Sequence, residues 1–289
     1  MQKNSQKKEI PKKEIPKKEI KVRPFWYSDI WIFPKLINII TTLDKEGRIN
    51  AAPYSFIMQY DVMHFNPQMM LGFRQDSHTF QNICETGEFV INCPSWDTLE
   101  DMMETARFWP AGVNELDHTN YTTIPSRKVK PPSIAECPQI AECTVDEIVK
   151  LKKSNGIVIA NIEAIVMDEG LEEMSRPERI KAMNLPIGLG DEKRLDYYYC
   201  DTSNVVMHRL KDDLNAYQGV NAKTSMDWED SASDALMEVP PAFRTLVIDN
   251  TETAAREAGL DSVTLKFFAD LAAEYGMDQD FIERFQSDD

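Results

Sequence analysis

The feature that most constrains the fold is a series of short apolar, β-branched runs, each followed by turn-forming residues. The first run, residues 36–43, ends at residues 44–47, where Gly47 can adopt the positive φ that a tight turn requires. The remaining strands are predicted at residues 48–58, 69–73, 88–93, 141–151, 156–168 and 195–200. Because few helices separate these strands, the pattern predicts an antiparallel β-barrel or sandwich and not a doubly wound parallel sheet.

Helix-forming and turn residues complete this central pattern. Helices are predicted over residues 79–85, which stop at Gly87, and over residues 96–105 and 176–183. The last two long strands are predicted to form a hairpin about residues 154–156, because Asn-Gly is a strong turn signal. The expected fold class is mainly β with helices, in the form of a β-barrel.

The N-terminal end has a different composition. Residues 7–20 repeat Lys-Lys-Glu-Ile-Pro, and a proline at every fifth position prevents a continuous helix. The isolated isoleucines cannot form a core, so residues 1–23 are predicted to be a disordered basic arm. This arm suits either contact with an acidic partner or a solubilising role.

The C-terminal end is predicted to be a small all-α unit over residues 225–289, which leaves residues 24–217 as the main domain. Its third helix is expected to be capped by Asp261 or Ser262, and Gly276 is expected to end it. The predicted helices cover residues 228–237, 242–258, 263–275 and 278–285.

Charge and residue counts exclude several classes of function. The formal net charge is −16, yet the first 23 residues carry nine Lys or Arg and three Glu, so residues 24–289 carry −22. Such an acidic body repels a phosphate backbone, and nucleic acid is not expected as a partner. The chain lacks a run of about eighteen apolar residues and a signal-peptide core, which predicts a cytoplasmic protein without a membrane partner. Five unpaired cysteines and four scattered histidines predict free thiols and no metal site.

The most distinctive motif is Asn50-Ala51-Ala52-Pro53-Tyr54-Ser55-Phe56, which follows Thr-Thr-Leu-Asp and Gly47. This segment closely resembles the opening hairpin of flavin-reductase-like, FMN-binding split-barrel proteins, the flavoredoxin-like family. Further blocks resemble that family in the same order, at residues 76–83, 86–92, 125–136 and 156–168. The resemblance covers about residues 33 to 200. It implies an FMN-binding split barrel for the main domain.

The resemblance also implies where FMN lies. Residues 50–56 would line the ring and ribityl chain, and residues 74–82 would hold the phosphate near a helix start, which favours anions. Small residues let backbone groups approach a flat ring, and Pro53 interrupts the strand ladder as at an edge or bulge. The predicted cofactor-binding residues are Asn50, Ala51, Ala52, Pro53, Tyr54, Ser55, Phe56, Arg74, Ser77, Thr79 and Asn82.

Other interpretations of these residues remain open from the sequence. Asn50 also suits a turn cap, Ser55 an ordinary strand position, and Thr79 a helix N-cap. Three successive tyrosines at residues 197–199 suit a cover over the flavin, a dimer interface or core packing. The basic pair at residues 127–128 suits either a nicotinamide phosphate or a solvated loop.

The sequence contains no constellation of acid and base residues, so no catalytic residue is predicted. Together with the motifs, this absence indicates a redox function. The leading hypothesis is an FMN-binding oxidoreductase that transfers hydride or electrons from NADH or NADPH to flavin. The alternative is a flavoredoxin-like FMN electron carrier that docks to a redox-protein partner without NAD(P)H turnover. A third is a flavin-binding scaffold or sensor. The resemblance implies a homodimer.

Residues 225–289 loosely resemble the small helical module at the end of a light-independent protochlorophyllide reductase chain.

Overall fold

The computed structural model describes residues 15–24, 26, 30–62, 67–152, 155–193, 196–208, 223–239 and 241–275. The chain divides into two units, residues 1–206 and 207–289, each with its own buried core. Residues 1–14 of the expected basic arm lie outside the described residues, and residues 15–23 form neither helix nor strand. The domain limits expected from the sequence, 24–217 and 225–289, stay predictions.

The first unit consists of short strands with helices between them, as the turn-rich apolar pattern predicts. The elements in chain order are β1 (Lys35–Leu36), β2 (Asn38–Leu43), β3 (Ile49–Tyr54), β4 (Ile57–Asp61), β5 (Gln68–Arg74), α1 (His78–Thr86), β6 (Glu88–Cys93), a 3₁₀ turn (Trp96–Thr98), α2 (Leu99–Glu104), a second 3₁₀ turn (Glu115–His118), β7 (Thr123–Ile124), β8 (Ser133–Ile134), β9 (Gln139–Lys150), β10 (Asn155–Met167), α3 (Arg176–Met183), β11 (Ile187–Lys193) and β12 (Asp196–Cys200). Seven strands form one antiparallel sheet in the order β3-β2-β6-β9-β10-β5-β4, and β1, β11 and β12 form a second sheet. The expected class, mainly β with helices in a split barrel, is confirmed.

Apolar side chains cover both faces of the central strands. In β2, Ile39 packs into one buried cluster with Met102 and Ile134, whereas the next residue, Ile40, packs into another with Phe80 and Val158. Successive strand residues point to opposite faces, so a strand buried on both sides needs a continuous apolar run. This explains why the apolar residues of β2 and β6 are consecutive, at 39–40 and 89–91, instead of alternating with polar ones.

The predicted strand at residues 48–58 is in fact two strands, and that prediction was wrong. β3 ends at Tyr54 and pairs with β2, while β4 starts at Ile57 and pairs with β5. These two strands lie at opposite ends of the seven-strand order, so residues 55–56 carry the chain from one edge to the other. The Gly72 N–H donates to the Phe56 carbonyl at 2.9 Å, close to where this crossing joins β5.

The hairpin of β9 and β10 is confirmed, but the role assigned to its Asn-Gly pair was wrong. Asn155 and Gly156 already belong to β10, where they pair with Arg74 and Phe73 of β5. Gly156 is needed for a different reason. A Cβ there would lie 2.4 Å from Cζ of Phe80, so the absent side chain makes room for that buried ring.

The second unit contains the expected helices with different boundaries: α4 (Asp230–Glu238), α5 (Pro241–Glu257) and α6 (Leu265–Glu274). It also contains a two-residue parallel pairing of β13 (Asp227–Trp228) and β14 (Ser262–Val263), so it is not purely α. The cap of α6 is Thr264, whose hydroxyl accepts the Phe267 N–H at 3.2 Å, and not Asp261 or Ser262. Ser262 and Val263 are held in the strand pairing instead. The stop expected at Gly276 and the helix expected at 278–285 lie outside the described residues.

Two negative findings apply to the described ranges. Within them no helix is long and apolar enough to cross a membrane. Nor do His, Cys, Asp and Glu side chains in these ranges gather in groups of three or more that could hold a metal ion.

Candidate functional site

The first unit contains a cavity of about 600 Å³, within the roughly 300–1,000 Å³ usual for small-molecule and cofactor sites. Four parts of the chain line it: edge strand β3, the start of helix α1, the segment at residues 103–109, and the sheet of β1, β11 and β12. The first two parts are the segments that the sequence predicts for the ring and the phosphate. The structure therefore brings them to one cavity.

The β3 segment contributes five of its seven predicted residues to the cavity lining: Asn50, Ala52, Pro53, Tyr54 and Ser55. Ala51 is fully buried in the core, and its backbone N–H donates to Glu115 Oε2 at 2.7 Å. Phe56 does not line the cavity. Its ring lies over Gly72, where a Cβ would come within 1.9 Å of the ring.

Pro53 is tolerated because β3 is an edge strand. In an antiparallel pair, the backbone groups of alternate residues point toward and away from the neighbouring strand. The Ala51 N–H points away from β2, since it bonds to Glu115, and the backbone of Pro53 faces the same side two residues later. The donor that proline lacks would thus have faced away from the ladder, and no β2–β3 bond is lost.

The start of helix α1 provides the second part of the cavity. Ser77 is its N-cap: the Ser77 hydroxyl accepts the Phe80 N–H at 3.2 Å and donates to the Arg74 carbonyl at 2.8 Å. His78 and Thr79 follow in the first helical turn and also line the cavity. Arg74 lines it too, with its Nη2 at 2.6 Å from Asp76 Oδ2 in an exposed ion pair.

A buried hydrogen bond joins these two parts. Asn50 Nδ2 donates to Thr79 Oγ1 at 3.0 Å. Asn50 is therefore not the turn cap, a role taken by Asp44, whose Oδ1 accepts the N–H groups of Glu46 and Arg48. Asn82 is buried behind this contact. It donates to Thr42 Oγ1 at 3.0 Å and does not line the cavity.

Residues 103–109 and Glu115 line the cavity but carried no signal in the sequence. The ring of Trp109 stacks on His118 with centroids 4.0 Å apart and planes 6° apart, and its Nε1 is buried without a hydrogen-bond partner. Glu115 is only 5% exposed, in the 3₁₀ turn that carries His118. Residues 105–109 form neither helix nor strand, so the sequence has no periodicity there that would reveal such positions.

The fourth part of the lining comes from the small sheet of β1, β11 and β12. Gly188, Gly190 and Asp191 of β11 line the cavity together with the three tyrosines of β12. Tyr197 and Tyr198 are 42% and 55% exposed, whereas Tyr199 is half-buried and its hydroxyl lies 3.0 Å from Met103 Sδ. All three tyrosines therefore border the cavity, and Tyr199 also packs against the core cluster of Ile39 and Met102. β11 was missed because its Gly-Leu-Gly-Asp sequence lacks the apolar alternation of a strand.

Burial changes the acid–base properties of several lining groups. It raises the pKa of the Glu115 carboxyl, whereas the hydrogen bond from the Ala51 N–H and the nearby His78 and His118 act to lower that pKa. Burial likewise raises the pKa of Tyr54 and lowers that of Lys35, the latter opposed by Asp191. Burial thus shifts the equilibrium of each of these three groups toward its neutral form.

Arg127 and Lys128 do not line this cavity. Their backbone N–H groups donate to the fully buried carboxylate of Glu142, at 2.8 and 2.6 Å to the nearer oxygens. These bonds attach residues 127–128 to strand β9. The backbone of the basic pair is structural here.

The comparisons with known proteins agree with this architecture. Residues 31–184, more than half of the chain, match the family described as Flavin reductase like domain. An uncharacterized protein of Aquifex aeolicus is 29% identical over 150 residues, covering 48% of this chain and 75% of that protein. The chain spans only 54% and 65% of the length of two further curated relatives.

Two solved structures are similar in fold. Flavoredoxin of Desulfovibrio vulgaris (Miyazaki F) gives a TM-score of 0.54 at 18% identity, over 70% of this chain and 99% of that one. Nitrilotriacetate monooxygenase component B from Bacillus cereus gives 0.56 at 18% identity, over 68% of this chain and all of the other. At such identities the likeness concerns the fold alone.

Proposed function

The chain belongs to the flavin reductase like domain family, and on this basis we propose that it is an FMN-binding oxidoreductase that transfers hydride or electrons from NADH or NADPH to flavin. Membership of this family indicates a flavin-related oxidoreductase. We further propose that the flavin is FMN and that the electron donor is a nicotinamide nucleotide.

The observation that carries the proposal is the meeting of two distant segments at one cavity. Residues 50, 52–55, 74 and 76–79 line it together, and the buried Asn50–Thr79 bond joins the two segments. One segment presents a strand edge with small residues, and the other presents a helix start. A flat ring with an attached phosphate needs both kinds of surface in one place.

The helix start suits the phosphate. The first turn of α1 leaves backbone N–H groups without helical partners, and the helix dipole favours negative charge there. Arg74 adds a guanidinium with five N–H donors, and its bonds to Asp76 are made by Nε and Nη2. In this proposal Ser77, His78 and Thr79 orient the phosphate, and Arg74 supplies charge.

The remaining walls suit the ring. Ala52 and Pro53 present little side-chain bulk on one side, and Trp109 and the β12 tyrosines present aromatic surface on others. When bound, FMN supplies the electron-accepting chemistry, and the chain positions it and shields it from water. Because the chemistry resides in the cofactor, the site needs no nucleophile or paired acid and base.

Anaerobic mixing tests the proposed reaction directly. Purified chain loaded with FMN is mixed with NADH, and separately with NADPH, while the visible flavin absorption is recorded. We expect bleaching with one or both nucleotides. FMN that stays oxidised with both would remove the proposed nicotinamide donor while leaving FMN binding intact.

A second candidate is an FMN electron carrier served by a protein redox partner. The net charge of −16 favours it, because an acidic surface steers basic partners toward a docking site. In that case the second unit would act as the docking module. Reduction by a reduced ferredoxin, without reduction by either nicotinamide nucleotide, would select this candidate.

We further propose that the chain is a homodimer. The exposed side chains of Trp31, Ile32 and Phe33 precede β1 close to the cavity wall and are suited to contact with a second copy. The solution mass, measured by light scattering at several concentrations, tests this. A monomer throughout would contradict it.

A further inference from the structure

Glu115 is a buried carboxyl group at the cavity that the proposed hydride transfer does not use. Its side chain is 5% exposed, and it lines the cavity beside the strand edge assigned to the flavin ring. Glu115 Oε2 accepts the Ala51 N–H at 2.7 Å. Ala51 lies between Asn50 and Ala52, which both line the cavity. The hydrogen bond to Ala51 therefore attaches the Glu115 carboxyl group to the strand edge assigned to the flavin ring.

We propose that Glu115 takes up one proton when negative charge enters the cavity, and so neutralises the charge that flavin reduction adds. This inference rests on the proposed binding of FMN at this site. Hydride transfer brings two electrons and one proton into the cavity and adds one negative charge. Uptake of a solvent proton converts the Glu115 carboxylate to a carboxylic acid and restores the charge balance.

The surroundings of Glu115 support this role. Burial already raises its pKa, and a new negative charge nearby raises the pKa of a carboxyl further. The groups that face it are His78 from helix α1, His118 from its own 3₁₀ turn, and Tyr54 from β3. Neither histidine is buried: His78 is half-buried and His118 is exposed, so solvent reaches the groups that face Glu115.

A redox titration of the FMN-loaded chain tests the proposal. Dithionite is the reductant, and the midpoint potential is measured against pH in the wild type, in Glu115→Gln and in Glu136→Gln. The amide that replaces the Glu115 carboxyl keeps an oxygen that can accept the Ala51 N–H but cannot take up a proton. Glu136 is the matched control, because its Oε2 accepts the Thr122 N–H at 2.8 Å but lies outside the cavity lining.

We expect the midpoint potentials of the wild type and of Glu136→Gln to fall more steeply with pH than that of Glu115→Gln. The difference in slope should correspond to one additional proton taken up per electron pair. Equal slopes in all three proteins would overturn the proposal. Reduced-minus-oxidised infrared spectra of the wild type provide a second reading that needs no variant. A protonated carboxyl band must appear on reduction, and its absence would also overturn the proposal.

This experiment separates the inference from the proposed function, since dithionite replaces the nicotinamide nucleotide. Proton uptake at Glu115 without bleaching by NADH or NADPH would support the inference and reject the nicotinamide donor. Bleaching by NADH or NADPH, together with equal pH slopes for the wild type and Glu115→Gln, would support the nicotinamide donor and overturn the inference. Failure of the chain to bind FMN would overturn both.

Discussion

At the residue scale, the bond from Asn50 to Thr79 links the two surfaces of the cavity. Both side chains are buried, so an unpaired amide at Asn50 would cost free energy that an exposed one would not. The same bond holds the Thr79 hydroxyl at the helix start. Its loss should affect both the stability of the first unit and the binding of FMN.

Thr79→Val removes the hydroxyl with little change of shape and leaves the Asn50 amide without this acceptor. We expect the free energy of unfolding to fall by about 1–3 kcal/mol and FMN binding to weaken by about tenfold. Thr79→Ser keeps the hydroxyl and serves as control. Chemical denaturation and FMN titration of the two variants measure the effects, and equal behaviour of both would argue against the bond's role.

Gly156 and Gly72 offer a comparison of close contacts. An alanine at 156 meets the ring of Phe80, which is 2% exposed, whereas an alanine at 72 meets Phe56, which is 44% exposed. A buried ring cannot move aside, so we expect Gly156→Ala to cost about 1–3 kcal/mol of unfolding free energy. Gly72→Ala should cost less. Denaturation curves for the two variants decide, and a larger loss at position 72 would contradict this packing.

At the element scale, helix α1 depends on Ser77 in two ways. Its hydroxyl caps the helix, and the backbone around it faces the proposed phosphate site. Capping and anion binding respond differently to substitution. Alanine removes the cap, whereas aspartate caps well but carries a negative charge.

We expect Ser77→Ala to lower the free energy of unfolding by about 1 kcal/mol. Ser77→Asp should keep that stability yet bind FMN more weakly than the wild type, because its carboxylate repels the phosphate. Binding of riboflavin, which has no phosphate, should change little in Ser77→Asp. An equal loss of FMN and riboflavin binding in that variant would place the phosphate elsewhere.

The strands with a strong local pattern were predictable from the sequence, and those shaped by distant contacts were not. β6 and helix α3 have the predicted bounds, because an apolar run and a capped helix are encoded locally. The break between β3 and β4 was missed, since it depends on pairing with β2 on one side and β5 on the other. The Asn-Gly turn was misplaced because Gly156 serves the packing of Phe80, a residue 76 positions earlier.

The lining of the cavity was predictable only in part. The family resemblance drew attention to residues 50–56 and 74–82, and most residues of 50–55 and 74–79 line the cavity. The contributions of Trp109, Glu115 and β11 to the cavity lining could be recognised only from the three-dimensional structure. These residues come together only through tertiary contacts, such as the bond of Glu115 to Ala51 over 64 positions.

At the scale of the whole molecule, the two units have separate cores, and the lining residues of the main cavity all belong to residues 1–206. In the second unit, Glu252 is 2% exposed and accepts bonds from Ser225, Met226 and Trp228. Burial alone would raise its pKa, but these hydrogen bonds outweigh burial and lower the pKa to about 2.

A depressed folded-state pKa gives stability that is present above the unfolded pKa of about 4.5 and is lost as the pH falls toward 2. We expect Glu252→Gln to lose about 1–3 kcal/mol of unfolding free energy at pH 7 and to show a flatter acid dependence between pH 4.5 and 2. The NMR signal of the Trp228 indole N–H reports this unit. FMN content should stay unchanged, and a parallel loss of FMN would contradict the assignment of the cavity to the first unit.

The central claim is that the cavity between β3 and the start of α1 binds FMN through both its ring and its phosphate. Equilibrium titration of the whole chain with FMN, and separately with riboflavin, tests it most directly through the quenching of flavin fluorescence. We predict saturable binding of FMN that is at least about tenfold tighter than that of riboflavin, because charged hydrogen bonds to the phosphate add about 1.5–3 kcal/mol. Absence of saturable FMN binding, or equal affinity for the two flavins, would contradict the account.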